Sequence, residues 1–133
     1  MIFIDTGPFV ARYVQRDQYH ERSVQSWQRL RDQGRRCFTS NFVLDETITL
    51  IARTAGYGFA AETARRIFSS SGLTLLRPDE KDELRSLDLF EKYADQKVSF
   101  TDCISFALMH RNKLGQAFSY DQHFRLAGFR PWD

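Results

Sequence analysis

Short apolar segments that alternate with helical ones are the feature that most constrains this fold. Four such segments occur along the chain: Met1–Ile4, Cys37–Thr39, Leu73–Leu76 and Gln116–Tyr120. The first has no alternation of apolar and polar residues, which is typical of a strand buried on both faces. Short strands separated by helices need right-handed crossovers onto a parallel sheet. We therefore predict an α/β fold with a short central parallel sheet of four or five strands and helices on both faces.

Helix starts are predicted at residues whose side chains can accept a hydrogen bond from the first-turn backbone. These residues are Asp17, Ser40 or Asn41, Asp79 and Thr101. Apolar residues at helical spacing then predict which face of a helix is buried. By this criterion the helix after Asp17 packs through Val24, Trp27 and Leu30, and the charged helix after Asp79 packs through Leu84, Leu87 and Phe90.

The length and composition fit one globular domain spanning residues 1–133. The chain is 42% hydrophobic and 27% charged, and a domain of this size buries roughly 70% of its unfolded surface. It therefore needs neither a disulfide nor a structural metal to fold, and any bound metal is expected to serve chemistry. The two cysteines, Cys37 and Cys103, lack the CxxC spacing of a zinc site and are expected to be free thiols.

The apolar segments are too short for membrane insertion. The longest runs are a few residues, against the roughly twenty that a transmembrane helix needs. The N-terminus has no basic region, long apolar core or cleavage site of a secretory signal. We expect a soluble cytoplasmic protein without a membrane partner.

The basic residues are mostly arginine and are unevenly distributed. Of the 19 basic residues 15 are Arg, and residues 1–37 alone contain seven Arg against four acids. The planar guanidinium suits phosphate, so this segment is consistent with a nucleic-acid or phosphate partner. Solvated arginine-rich helices explain the same composition.

Four acidic residues far apart in sequence are predicted to meet at one edge of the sheet. Asp5 directly follows the first strand and Asp121 the last, while Glu46 and Asp102 lie near the starts of helices that follow extended segments. Ligands of open parallel sheets bind outside the carboxyl ends of the strands. Taken singly, each acid also fits a helix cap or a favourable position at a helix N-terminus.

As a group the four acids indicate a cation. Carboxylates gathered in a cleft repel one another unless some protonate or a cation intervenes. Oxygen ligands without Cys or His select a hard ion, Mg²⁺ or Mn²⁺, and such an ion polarises a phosphodiester and activates water. Thr6, Ser40 and Thr101 flank the acids and are candidates to orient metal-bound water or a phosphate oxygen, or to act as caps and turn formers.

The acidic segments resemble the four motifs of PIN-domain ribonucleases, in that family's order and usual spacing. They are Ile2–Thr6, Thr39–Glu46, Ser99–Asp102 and Phe118–Phe124. The segment Asp121–Phe129 is especially similar to VapC-like toxins of type II toxin–antitoxin systems. The resemblance covers the entire chain.

The resemblance implies a PIN-like three-layer fold and a metal-dependent endoribonuclease. Asp5, Glu46, Asp102 and Asp121 would be catalytic metal ligands for Mg²⁺ or Mn²⁺, with Asp121 acting directly or through water, and Thr6 would support them. It also implies an RNA substrate, a cognate antitoxin that covers the site, and a homodimer. The second helix and the helical pair over Leu44–Phe68 are candidate surfaces for those contacts.

Three other functions share parts of this pattern. The tripeptide Asp5-Thr6-Gly7 after an apolar strand also occurs in retroviral-type aspartic proteases, but those chains are almost wholly β and this one is dominated by helical periodicity. A phosphoryl-accepting receiver domain needs an acceptor Asp on a mid-chain strand, and Leu73–Leu76 has none. A catalytically silent PIN-like module that binds RNA or protein is the remaining alternative.

Overall fold

A five-stranded parallel sheet forms the centre of the molecule. The computed structural model describes residues 1–133, and its strands are β1 (Ile2–Ile4), β2 (Cys37–Ser40), β3 (Leu73–Leu76), β4 (Gln116–Phe118) and β5 (Arg130–Pro131). Their order across the sheet is β3-β2-β1-β4-β5, and every pair is parallel. The predicted α/β class with a short parallel sheet is confirmed.

Strand β1 lies in the middle because it is apolar on both faces. Ile2, Phe3 and Ile4 are fully buried, and Phe3 is in register with Phe38 of β2 on one side and Ala117 of β4 on the other. A strand hydrogen-bonded on both edges and covered on both faces fixes the position of the residue that follows it. That residue is Asp5, whose backbone N–H continues the ladder to the carbonyl of Phe118 at 3.0 Å.

Seven α-helices connect and flank the strands. They are α1 (Thr6–Tyr13), α2 (His20–Asp32), α3 (Asn41–Ala55), α4 (Tyr57–Phe68), α5 (Glu80–Lys92), α6 (Phe100–Arg111) and α7 (His123–Leu126). A short 3₁₀ turn covers Ala94–Gln96. Gly56 separates α3 from α4 with φ +96°, a left-handed conformation that glycine adopts without strain. No helix has the length and apolar character that crossing a membrane requires.

Two of the predicted helix caps are present and two are wrong. The hydroxyl of Ser40 accepts from the backbone N–H of Val43 at 3.1 Å, and Asp79 forms a reciprocal capping box with Asp82. Asp17 instead accepts from the N–H of Tyr19 at 2.8 Å in a turn before α2, which begins only at His20. Thr101 lies inside α6, whose cap is Ser99.

Helix α6 is the most deeply buried helix. Residues 102–109 are all buried, and Phe106 packs edge-on against Phe124 with the ring centroids 5.1 Å apart. The same aromatic cluster includes Phe129, which follows the short helix α7. Phe124 also stacks on Phe3 of β1 with the ring centroids 6.3 Å apart, so this packing holds α6 and the segment around α7 against the central strand.

The predicted inner face of α5 is wrong. Leu84, Leu87 and Phe90 are between 45% and 56% exposed, and the buried residues of the helix are Asp82, Ser86 and Leu89. Asp82 is buried because its carboxylate accepts from the backbone N–H of the cap residue Asp79 and forms an ion pair with Arg111 of α6 at 2.8 Å. In α2, Leu30 is buried as predicted, whereas Val24 is 45% exposed.

Candidate active site

All four predicted acids line one cavity of about 760 Å³. The cavity lies beyond the carboxyl ends of β1 and β4, where ligands of parallel sheets bind. Asp5 enters it from β1, Glu46 from α3, Asp102 from the first turn of α6, and Asp121 from the loop after β4. The sheet edge therefore brings together carboxylates that are widely separated in sequence.

Asp5 occupies the N-cap position of α1, but its carboxylate makes no capping hydrogen bond to that helix. The prediction of a side-chain cap at Asp5 is therefore wrong. The hydroxyl of Ser119 donates a 2.7 Å hydrogen bond to Oδ2 of Asp5. The same hydroxyl accepts from the backbone N–H of Asp121 at 3.0 Å, so Ser119 links the loop after β4 to the carboxylate after β1.

Asp102 and Asp121 both contact the same ring nitrogen of His123. The Nδ1 atom of His123 lies 3.2 Å from Oδ2 of Asp102 and 3.2 Å from Oδ1 of Asp121. Asp121 also accepts from the backbone N–H of His123 at 2.9 Å, which orients the loop. The three side chains place potential ligand atoms within 4.8 Å of one another.

Glu46 lies at the open side of the cavity. It is exposed and forms neither a hydrogen bond nor an ion pair. Its negative charge nevertheless contributes to the raised pKa values of Asp5 and Asp102. Glu46 is thus free to turn toward a ligand that enters from solvent.

The site is electrostatically crowded. Burial, followed by the charge of Asp102, raises the pKa of Asp5 to about 7, against the opposing hydrogen bond from Ser119. Burial also raises the pKa of Asp102 to about 6, although the hydrogen bond from His123 acts in the opposite direction. The one basic group within ion-pair distance of these acids is His123; Lys97 lines the cavity without pairing.

The donor set fits a hard divalent cation. Buried carboxylates without matching cations are costly, and a divalent ion would remove that cost. Thr6 adds a second observation, because its Oγ1 atom is buried beside the acids and has no hydrogen-bond partner. Oxygen ligands favour Mg²⁺ or Mn²⁺ over Zn²⁺.

The three predicted supporting residues differ in position. Thr6 lines the cavity, whereas Ser40 and Thr101 are absent from its wall. The hydroxyl of Ser40 is occupied as the cap of α3. The hydroxyl of Thr101 does not make the predicted capping hydrogen bond. Ser99 caps α6 instead, and its hydroxyl accepts from the N–H of Asp102 at 3.1 Å.

Sequence reasoning did not predict the contacts that three residues make in this site. Ser119 and His123 lie in the segment Phe118–Phe124 that carried the resemblance, but only their contacts with Asp5, Asp102 and Asp121 show what they do. Asp17, predicted to cap the second helix, is a fifth carboxylate on the cavity wall. Its place in the loop after α1 gave no signal of that position.

A parallel sheet with a carboxylate-lined cavity at its carboxyl edge is the arrangement expected of PIN domains. The family model described as PIN domain matches residues 2–130, and the chain belongs to this family. Within the family the chain is VapC-like, as its relatives indicate.

The relatives that match are near full length. A protein named 23S rRNA-specific endonuclease VapC20, from Mycobacterium tuberculosis, is 30% identical over 97% of this chain and 95% of its own. A VapC ribonuclease of Archaeoglobus fulgidus is 32% identical over 92% of this chain and 78% of its own.

Solved structures match in the same way. The crystal structure of M. tuberculosis VapC20, described as a sarcin-ricin loop cleaving toxin, superposes with a TM-score of 0.86 and 28% identity, covering 97% of this chain and 96% of that one. FitAcB of Neisseria gonorrhoeae superposes with a TM-score of 0.65 and 17% identity over 100% and 97% of the two chains, and at that identity it supports the fold alone.

Proposed function

We propose that this protein is a metal-dependent endoribonuclease and the toxin of a toxin–antitoxin pair. The observation that carries the proposal is the cavity into which Asp5, Glu46, Asp102 and Asp121 converge without a basic partner other than His123. Near-full-length relatives named as ribonucleases support an RNA substrate.

The four acids would hold Mg²⁺ or Mn²⁺, with Thr6 as a supporting polar residue. When bound, such an ion polarises a phosphodiester and activates water for in-line attack. Because the pKa values of Asp5 and Asp102 are raised to about 7 and about 6, ion binding near neutral pH would release protons from these residues. Asp121, whose side chain is 40% exposed, would contribute directly or through water.

The neighbouring residues would fix the ligands before the ion arrives. Ser119 restricts Asp5 through a 2.7 Å hydrogen bond, and His123 lies against both Asp102 and Asp121. Contacts of this kind orient the side chains that bind a metal. Their loss typically lowers metal affinity or activity about 10- to 100-fold. The buried wall formed by Asp5, Thr6 and Asp102 keeps bulk water from one side of the site.

An antitoxin and a second copy of the chain would bind near the helical pair α3–α4. Leu50 lines the cavity and is 37% exposed, and Tyr57, at the start of α4, is 79% exposed. An antitoxin segment on this surface would cover the cavity mouth. Sedimentation of the purified chain, alone and with its antitoxin, tests the homodimer and the complex.

The test of activity uses purified protein and intact RNA. Cleavage is expected with Mg²⁺ or Mn²⁺ and is expected to stop in EDTA and in Asp102→Asn, while Asp88→Asn, an exposed acid of α5, retains activity. RNA that is bound but stays intact under every metal condition would favour the silent-module alternative. The parallel sheet and its flanking helices exclude the β architecture of an aspartic protease.

A further inference from the structure

A second cavity, of about 660 Å³, lies at the amino ends of β2 and β3, at the opposite end of the strands from the acidic site. Its wall includes Gly34–Cys37 before and at the start of β2, and Ser70–Leu73 before and at the start of β3. Residues of α1, α2 and α4 complete it. The volume falls in the roughly 300–1,000 Å³ range of ligand pockets.

Five arginines line this cavity and no acidic residue does. They are Arg12, Arg31, Arg35, Arg36 and Arg66. None of the five forms an ion pair. Other arginines of the same chain are neutralised: Arg22 and Arg29 pair with Asp133, and Arg111 pairs with Asp82. The cavity therefore concentrates unpaired positive charge, four of the five residues coming from the basic N-terminal segment.

Two aromatic rings hold one arginine of this cavity in place. The guanidinium of Arg12 lies over the ring of Trp27 at 4.6 Å and over that of Tyr13 at 5.2 Å. Both rings are partly exposed and line the cavity. At the other side, Arg35 donates to Oε1 of Gln116 at 2.9 Å. These contacts hold Arg12 and Arg35 in place without neutralising their charge.

The chemistry of this wall fits a phosphate backbone. All five basic residues are Arg, whose planar fork binds phosphate oxygens in pairs. A single-stranded RNA carries one negative charge per nucleotide, so several of these arginines can contact its phosphates at once.

We propose that this arginine cleft, defined by the five arginines with Trp27 and Tyr13, is an RNA-anchoring site separate from the point of cleavage. The inference rests on the proposed function, because RNA is the polyanion that this function brings to the protein. RNA that reaches both sites passes along the molecule from one end of the strands to the other. The cleft then sets RNA affinity, while the acidic cavity carries out hydrolysis.

The test measures RNA affinity without cleavage. A fluorescent single-stranded oligoribonucleotide is titrated in EDTA with wild type, with Arg31→Gln/Arg66→Gln, and with the control Arg77→Gln/Arg85→Gln, which removes two exposed arginines outside the cleft. We expect the cleft variant to bind about tenfold or more weakly than the control. Its slope of log affinity against log salt should be smaller by about 1.4, for two lost phosphate contacts. Equal thermal midpoints check that all variants are folded.

Equal affinity and equal salt slopes for the two double variants would overturn the proposal. A poly-glutamate peptide that binds with the same arginine dependence, while RNA affinity is unchanged, would also overturn it in favour of an acidic protein partner. Cleavage of the same RNA with Mn²⁺ is measured in parallel. Failure of wild type to cleave contradicts the proposed function, whereas unchanged RNA binding by the cleft variant contradicts only the anchoring site.

Discussion

At the residue scale, the buried carboxylates of Asp5 and Asp102 work against the stability of the metal-free fold. Replacing either by Asn keeps the shape and removes one of several repelling charges. We expect Asp5→Asn and Asp102→Asn to raise the metal-free thermal midpoint at pH 8. We also expect both to lower RNA cleavage at least about 100-fold, because losing even a residue that only orients a metal ligand lowers activity about 10- to 100-fold. Calorimetry and a gel cleavage assay check both. Loss of folding in both variants would contradict this account of the site.

The raised pKa values also predict how metal-free stability depends on pH. Between about pH 4 and pH 7 the carboxyl of Asp5 keeps its proton in the folded state and loses it in the unfolded state. The folded state then binds more protons, so the free energy of unfolding falls as pH rises through this window. The loss is about 1.4 kcal/mol per pKa unit, on the order of 4 kcal/mol for Asp5. Below pH 4 and above pH 7 this contribution is constant.

Denaturant titrations in EDTA at several pH values measure this effect. Asp5→Asn should flatten the fall between pH 4 and pH 7, and saturating Mg²⁺ should reduce it, because ion binding favours the charged form. A wild-type stability that rises over that window, or a fall that is the same in Asp5→Asn, would show that Asp5 is not the group responsible.

Ser119 is predicted to act as a positioning residue for Asp5. Its hydrogen bond lowers the pKa of Asp5, so Ser119→Ala should raise that pKa further and leave less carboxylate at neutral pH. We expect cleavage at pH 7 to fall roughly tenfold and to recover partly at pH 8.5. Ser69→Ala, an exposed serine at the end of α4, is the control. An equal loss at every pH would point to a merely structural defect.

The residues at strand ends were predictable from sequence, whereas their partners were not. Asp5 and Asp121 follow strands directly, and the geometry of a parallel sheet brings such positions together. His123 reaches Asp102 only because α7 is a single short turn held by the Phe124 and Phe106 rings. That contact depends on tertiary packing and has no local sequence signature.

At the scale of elements, the cap of α6 connects helix stability to the site. The Ser99 hydroxyl accepts from the N–H of Asp102, so Ser99→Ala should cost about 1 kcal/mol in the free energy of unfolding. Thr101→Ala, two residues further on, should cost less because its hydroxyl has no capping bond. Chemical denaturation of the two variants makes the comparison. A larger loss for Thr101→Ala would contradict the capping assignment.

Strands were predicted better than the buried faces of helices. Strands β1 and β3 follow from continuous apolar runs, which leave few alternatives. In α5, apolar spacing predicted a buried face at Leu84, Leu87 and Phe90. A different face is buried, because its polar groups find partners there. Asp82 pairs with Arg111, and the hydroxyl of Ser86 donates to the carbonyl of Asp82. Hydrophobic periodicity does not anticipate polar groups that find partners inside.

At the scale of the whole molecule, charge is separated along the sheet. Carboxylates gather at the carboxyl edge, and unpaired arginines gather at the amino ends of β2 and β3. The net charge of +2 conceals this arrangement. A polyanion is attracted to one end of the molecule and requires a cation at the other, so the proposed function depends on an ion in the acidic cavity.

Direct titration of Mn²⁺ by calorimetry tests that dependence without RNA. Wild type and the control Asp88→Asn, which alters an exposed acid on α5, are expected to bind the ion with similar affinity. Asp102→Asn is expected to bind at least about tenfold more weakly. Equal binding by all three proteins, or no binding by folded wild type, would contradict the claim that these carboxylates form a metal site.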